Sequence, residues 1–280
     1  MIEGDECMAR LTVINYFVKS RLSRLAVLLT GKRKYSQKYL NSIKGKYKGQ
    51  RCFVLGNGPS LTVNDLNKLK NEVTFASNRI YNIFSETDWR PTYFGILDEA
   101  VAERDGVIDG INSIQCKKKF ALEEGYYIFR KIKGDTCFLH GWYQRKYLDN
   151  PKFSEDLRKG VYCIATVTYM LIEIARYMGF EEIYLLGLDN KYAYSRLKDG
   201  TIVKNEGVAS YFGDNNIVML EPSIAVDTWE LDIAYEYADN YSRKNGFRIF
   251  NATRGGFLEK FERVDLDEVL RQNTMLPNED

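Results

Sequence analysis

Apolar residues fall into short unbroken runs separated by polar turns, and into a few stretches where they recur every three or four positions. Runs at 52–55, 72–77, 92–97, 117–122, 126–129, 136–139, 182–187 and 248–251 read as short strands, continuous enough to be buried on both faces. Helical spacing appears at 64–70, in one turn at 80–85, and at 162–178, 228–244 and 265–271, with Gly179 closing the helix over 162–178. This alternation predicts an open α/β sheet. The pattern is weakest over 101–158. Residues 193–226 lack periodicity and are rich in Gly, Asn and Asp, which predicts an ordered or closing loop.

Composition changes this picture mainly at the N-terminal end. The 280 residues suit one domain over 46–272, preceded by an extension over 1–45 and followed by a polar tail over 273–280. With 40 Lys and Arg against 38 acids the net charge is +2, which argues against a nucleic-acid binder. The charge is unevenly spread. Residues 1–50 carry 11 Lys and Arg against Glu3, Asp5 and Glu6, a net of +8, so the remainder carries −6. Leu11, Ile14, Phe17, Val18, Leu22, Leu25, Val27 and Leu28 lie beside Lys19, Arg21 and Arg24, too many charges for a membrane span. That pattern predicts an amphipathic basic helix, lying on an anionic membrane face through residues 10–48 or packing on the protein or a partner subunit. No secretory signal is expected. Five scattered cysteines without paired metal-ligand spacing fit reduced thiols in a cytoplasmic protein and no zinc site.

The candidate chemistry begins where the first buried run stops, at Gly56-Asn57-Gly58-Pro59-Ser60. Two glycines permit a tight turn, Pro59 presets the backbone, and Ser60 can cap a following helix. Such a turn can offer amides to a phosphate, or be a plain strand-to-helix turn. Leu61 replaces the third glycine of a dinucleotide loop and no P-loop lysine follows. Asn78, Asp98 and Asp189 end later strands, and ligands of open α/β sheets collect outside such ends; capping is the other reading for the two acids. Lys159-Gly160-Val161-Tyr162 leads into the helix over 162–178 and can present amides there.

The ordered set Leu55-Gly56-Asn57-Gly58-Pro59-Ser60-Leu61, Asn78-Arg79, Lys159-Gly160-Val161-Tyr162 and Glu182-Ile183-Tyr184-Leu185-Leu186-Gly187-Leu188-Asp189 resembles two related groups. One is the bacterial lipooligosaccharide sialyltransferases, which use CMP-sialic acid. The other is the domain of unknown function 115 group, the 6-hydroxymethylpterin pyrophosphokinase-like proteins, which the closing Asn251-Ala252-Thr253-Arg254-Gly255-Gly256 also resembles. The likeness runs over about 46–271. It implies a single Rossmann-like nucleotide-binding domain, a mostly parallel sheet with helices on both faces, as in the sialyltransferase-like variant of the GT-A fold. By the same resemblance Gly56, Asn57, Gly58, Pro59 and Ser60 cradle the CMP phosphate and ribose, and Asn78 contacts the donor. Lys159, Gly160 and Val161 hold the cytosine, and Tyr192 or Tyr194 steadies the departing phosphate.

One departure bears on catalysis. The family's histidine would fall near Ser210-Tyr211-Phe212-Gly213, where this chain has serine, and serine is no general base at neutral pH. Asp214 or Asp189 is the candidate base instead, while His140, the only histidine, reads as structural. The function expected is a glycosyltransferase of surface polysaccharide, taking a CMP-type nucleotide sugar to a glycan or lipid-linked acceptor without a cofactor. It would act in the cytoplasm or peripherally on the inner membrane face, with a homo-oligomer possible. Two alternatives stand beside it. One is an ATP-dependent pyrophosphokinase with Mg2+ on Asp98 and Asp189; the other is a non-catalytic nucleotide-binding scaffold.

Overall fold

The computed structural model describes residues 2–142, 146–206 and 225–272. The chain opens with α1 (Ile2–Leu29) and α2 (Lys32–Ile43), then enters the sheet at β1 (Arg51–Leu55). There follow α3 (Val63–Lys68), β2 (Thr74–Ser77), a 3-10 turn (Ile80–Ile83), β3 (Tyr93–Ile96), α4 (Glu99–Ala102), α5 (Val107–Ser113) and β4 (Lys118–Leu122). Next come α6 (Tyr126–Phe129), β5 (Thr136–Leu139), β6 (Gly141–Trp142), α7 (Lys146–Asp149), β7 (Val161–Tyr162), α8 (Val167–Tyr177) and β8 (Glu182–Leu186). The last elements are β9 (Tyr194–Arg196), β10 (Ile202–Lys204), α9 (Thr228–Lys244), β11 (Arg248–Asn251), β12 (Glu262–Arg263) and α10 (Leu266–Gln272).

Eight strands form one sheet in the order β12-β11-β8-β1-β2-β3-β4-β5, and every neighbouring pair is parallel. Parallel strands covered on both faces cannot alternate apolar with polar, which is why the sequence shows unbroken runs. Phe53, Phe75, Phe94 and Phe120 are fully buried in consecutive central strands. One face is covered by α2, whose Tyr39 packs on Phe120 with ring centroids 6.2 Å apart, and by α8, whose Leu171 lies against Gly95, the register partner of Phe120. On the opposite face the Arg51 guanidinium reaches the Val269 carbonyl of α10 at 2.7 Å.

Three segments differ from the pattern-based expectation. Residues 126–129 form a helical turn rather than a strand: Tyr126 and Phe129, three positions apart, are buried while Tyr127 is exposed, a helical spacing. The helix expected from 162 starts at Val167, because Val161–Tyr162 pairs with Gly141–Trp142 and Thr166 accepts a cap from the Thr168 amide at 3.2 Å. Within 193–226 the described residues include the β9–β10 hairpin. At the N-terminal end, α2 packs on the sheet. Leu40 and Ile43 are buried, Ser36 Oγ accepts from the Phe138 amide at 2.8 Å, and Arg33 is paired with Glu123.

Candidate functional site

From β1 the chain lays strands outward in one direction to β5, then returns to place β8 on the other side of β1. The loops leaving β1 and β8 therefore diverge, and a crevice must open outside their carboxyl ends. A cleft of about 660 Å³ lies there, large enough for a nucleotide. Its lining combines Gly56, Asn57 and Gly58 after β1, Asn78 after β2, Asp98 after β3, and Gly187 to Tyr192 after β8. Ile164 to Thr168, at the start of α8, and Glu230, Leu231 and Tyr235 of α9 complete it.

The two glycines after β1 are required by close packing of the chain on itself. A Cβ on Gly56 would lie 2.3 Å from the Gly187 carbonyl oxygen, and one on Gly58 would lie 1.9 Å from Asp189 Oδ2. The turn amides are largely engaged. Gly56 donates to the Leu186 carbonyl at 2.8 Å, Gly58 to Gly187 at 2.9 Å, and Ser60 to Asp189 Oδ2 at 3.3 Å. The amide cradle expected of 56–60 is thus reduced to Asn57 among these amides, while Pro59 and Ser60 stand outside the lining. At the first turn of α8 the Thr168 and Tyr169 amides are taken by Thr166, which leaves the Val167 amide and the dipole of this eleven-residue helix to favour an anion at the cleft.

Asparagine side chains supply the complementary chemistry. Asn57 Nδ2 donates to the Ser77 carbonyl at 3.1 Å, which fixes its amide orientation, and its buried Oδ1 has no partner. Asn190 donates through Nδ2 to Asp232 at 3.4 Å and likewise keeps a buried, unpartnered Oδ1. Asn78 adds a third such oxygen. Asn78 and Asn190 sit in left-handed backbone, φ 51° and 50°, a conformation asparagine tolerates better than most residues. Buried acceptors need donors, so these three can take hydrogen bonds from water or from a ligand bearing O–H or N–H groups, such as ribose or a sugar.

The other expected residues divide plainly. Asp189 lines the cleft, with Oδ2 held by the Ser60 hydroxyl at 2.8 Å. Tyr192 lines it; Tyr194, in β9, does not. Asp98 lines it while capping α4 through Oδ1, which accepts from Ala100 at 2.8 Å and Val101 at 3.3 Å. Lys159, Gly160 and Val161 are not in the lining: Lys159 is exposed, and the Val161 amide donates to the His140 carbonyl at 2.8 Å in the β6–β7 ladder. The segment that reaches the cleft is Cys163 to Thr168, a few residues further on. Asp214 and the Ser210 region lie outside the described residues. His140 is tied to Glu124 at 2.6 Å and stacks edge-on with Trp142, away from the cleft lining.

Sequence reasoning missed Asn190, the α8 start and the charged residues Arg104, Lys191, Arg196, Asp227 and Glu230, all in the lining. Arg196 pairs with Asp227 at 3.2 Å and Lys191 lies 4.7 Å from the Phe257 ring centre. Burial pushes the Tyr235 phenol up to about 12, with the Thr168 and Thr166 hydroxyls opposing, so it stays protonated at neutral pH. Burial also raises the Cys163 thiol, which leaves it a poor nucleophile.

The closing 251–256 motif braces the cleft from behind. Thr253 Oγ1 accepts from the Leu188 amide at 3.1 Å, Arg254 Nη1 donates to the fully buried Asp65 at 2.8 Å, and Gly256 packs on the Asp189 backbone. Asp65 in turn forms a capping box with Thr62 at the start of α3.

The family model described as 6-hydroxymethylpterin diphosphokinase MptE-like matches residues 29–195, more than half of the chain. The chain belongs to the MptE-like family. The matched region of this MptE-like chain holds α2, β1 to β8 and most of the cleft, and ends before α9 and the 251–256 brace. No curated protein matches the sequence. Two solved structures are similar in arrangement. The MAf glycosyltransferase from Magnetospirillum magneticum AMB-1 shares 16% identity over 83% of this chain, with a TM-score of 0.45. This chain spans only 38% of the length of that protein. The sialyltransferase CstII from Campylobacter jejuni, in complex with the substrate analogue cytidine-5'-monophosphate, shares 14% identity over 78% of this chain and 85% of its own, also with a TM-score of 0.45.

Proposed function

We propose that this chain is a nucleotide-sugar-dependent glycosyltransferase, binding a CMP-type donor in the switch-point cleft and serving a glycan or lipid-linked acceptor. The observation that carries the reading is the pairing of two chemistries across one cleft. The α8 start favours a phosphate, and the orphan Oδ1 atoms of Asn57, Asn78 and Asn190 suit the hydroxyl and amino donors of a nucleoside or sugar. In this reading the acceptor hydroxyl attacks the anomeric carbon and the bond to the nucleotide phosphate breaks. The acceptor proton goes to a carboxylate, Asp189 or Asp214. Asp189 has Oδ2 fixed by Ser60, which orients the side chain, and its Oδ1 has no protein donor among the described residues. Tyr192 and the N-terminus of α8 stabilise the leaving phosphate. The cytoplasmic face of a membrane, approached through residues 10–48, is where such a reaction would meet a lipid-linked acceptor.

The family match favours a second reading, diphosphate transfer from ATP with Mg2+. In that reading Asp98 and Asp189, both in the cleft lining, would hold the magnesium beside the triphosphate. Asp98 caps α4 through Oδ1 and Asp189 is held by Ser60 through Oδ2, so each has only one oxygen left for a metal, and ATP phosphates and water would have to complete the shell. Calorimetric titration with CMP, UDP, GDP and ATP, with and without EDTA, separates the two. CMP-type binding that persists in EDTA supports the glycosyltransferase; Mg2+-dependent release of AMP from ATP, read by chromatography when a hydroxymethylpterin is added to take the diphosphate, supports the diphosphokinase.

A further inference from the structure

The exposed face of α1 has no counterpart in the chemistry of the cleft. Ser23 and Val27 are buried against the body, and Arg24 approaches Glu124 at 3.8 Å, so positions 20, 23, 24 and 27 mark the inner face. The opposite arc presents Phe17, Val18, Leu22, Leu25, Leu28 and Leu29, between 48% and 77% exposed. Arg21 is the one charge among them. A water-facing helix surface of this composition needs a cover.

Two covers are physically open, a second copy of the chain and a lipid surface, and charge decides between them. Exposed Lys32, Lys34 and Lys38 of α2 follow the apolar arc within nine residues of its end, and residues 1–50 carry a net charge of +8. A symmetric pairing through α1 would bring two such segments together, whereas an anionic bilayer attracts both. No helix of the described residues is long and apolar enough to cross a membrane, so the arc would lie on the surface.

We infer that the outer face of α1, with the exposed α2 lysines that follow it in the chain, is a docking surface for anionic lipid headgroups. This rests on the membrane-side placement in the proposed function and adds its residues. An apolar face and a basic cluster together make the two-signal kind of reversible anchor. The α1 face is separate from the cleft lining, so docking can hold the cleft near a lipid-linked acceptor without occupying it.

The test is co-sedimentation of the full chain with vesicles of pure phosphatidylcholine, or of phosphatidylcholine with about one third phosphatidylglycerol. Binding to the anionic vesicles only, weakened in 0.5 M NaCl, is expected. The L22Q/L25Q variant and the K32E/K34E/K38E variant should each bind about tenfold more weakly. Nucleotide titration of the same variants reports folding and the cleft separately. Unchanged nucleotide binding with lost vesicle binding supports the inference. Equal vesicle binding by wild type and variants overturns it while leaving the cleft reading standing. A solution dimer that L22Q/L25Q dissociates, with no vesicle binding by wild type, also overturns it and gives the face to a second copy.

Discussion

Asn57 is tied to the protein through only one end of its amide. Its Nδ2 is committed to the Ser77 carbonyl, so Oδ1 is left without a partner and would accept from the proposed nucleotide. Asn57→Ala removes that acceptor and should weaken nucleotide binding about tenfold, roughly 1.4 kcal/mol, measured by titration calorimetry. Gly58→Ala is expected to be harsher, since its Cβ would lie 1.9 Å from Asp189 Oδ2. Either the β1 turn or Asp189 must shift, and loss of binding together with a lowered melting temperature is the outcome to look for. Arg254 acts at a distance. Removing it leaves the buried Asp65 carboxylate without its guanidinium, and Arg254→Ala should cost about 2 kcal/mol in denaturant unfolding, discounted because Arg254 is half exposed. Burial tends to raise Asp65, but the Arg254 and Thr62 hydrogen bonds outweigh it and hold the carboxyl below its usual range. A depressed carboxyl contributes stability above its unfolded pKa of about 3.9 and loses it as pH falls through the folded value. The wild type should therefore lose this increment only in acid, below pH ~4, and Arg254→Ala should show a smaller acid-dependent loss.

Elements show which parts of the site were legible and which were not. The β1 turn could be read directly, because an unbroken apolar run ending in two glycines is a local signal. So could β8 and its polar end at Asp189, for the same reason. Lys159-Gly160-Val161 misled because a helix start was assigned from periodicity alone. The pairing of Val161 with Gly141, twenty residues earlier, is long-range and leaves no local mark. The actual start, Thr166, carries a cap signature visible only once Tyr162 is known to be in a strand. Asn190 was passed over because nothing local distinguishes an asparagine with an orphan oxygen from a surface one. Thr166→Ala tests the element: loss of the cap should reduce stability by about 1 kcal/mol in denaturant unfolding.

For the whole molecule, the strand order explains why residues from four strands and two helices meet. The reversal between β1 and β8 creates the crevice, and the 251–256 brace fixes its floor by joining the loops after β1 and β8. The general α/β architecture followed from alternation in the sequence, but the sheet order did not, because register between distant strands is set by packing. The uneven charge, basic before β1 and acidic after it, would on the proposed reading set α1 and α2 toward lipid while the cleft takes a nucleotide. The most direct measurement is calorimetric titration of the wild-type chain and Asn57→Ala with CMP and with other nucleotides in EDTA. The account predicts binding of a CMP-type ligand by the wild type and about tenfold weaker binding by the variant. No nucleotide binding, or equal binding by both proteins, would contradict it.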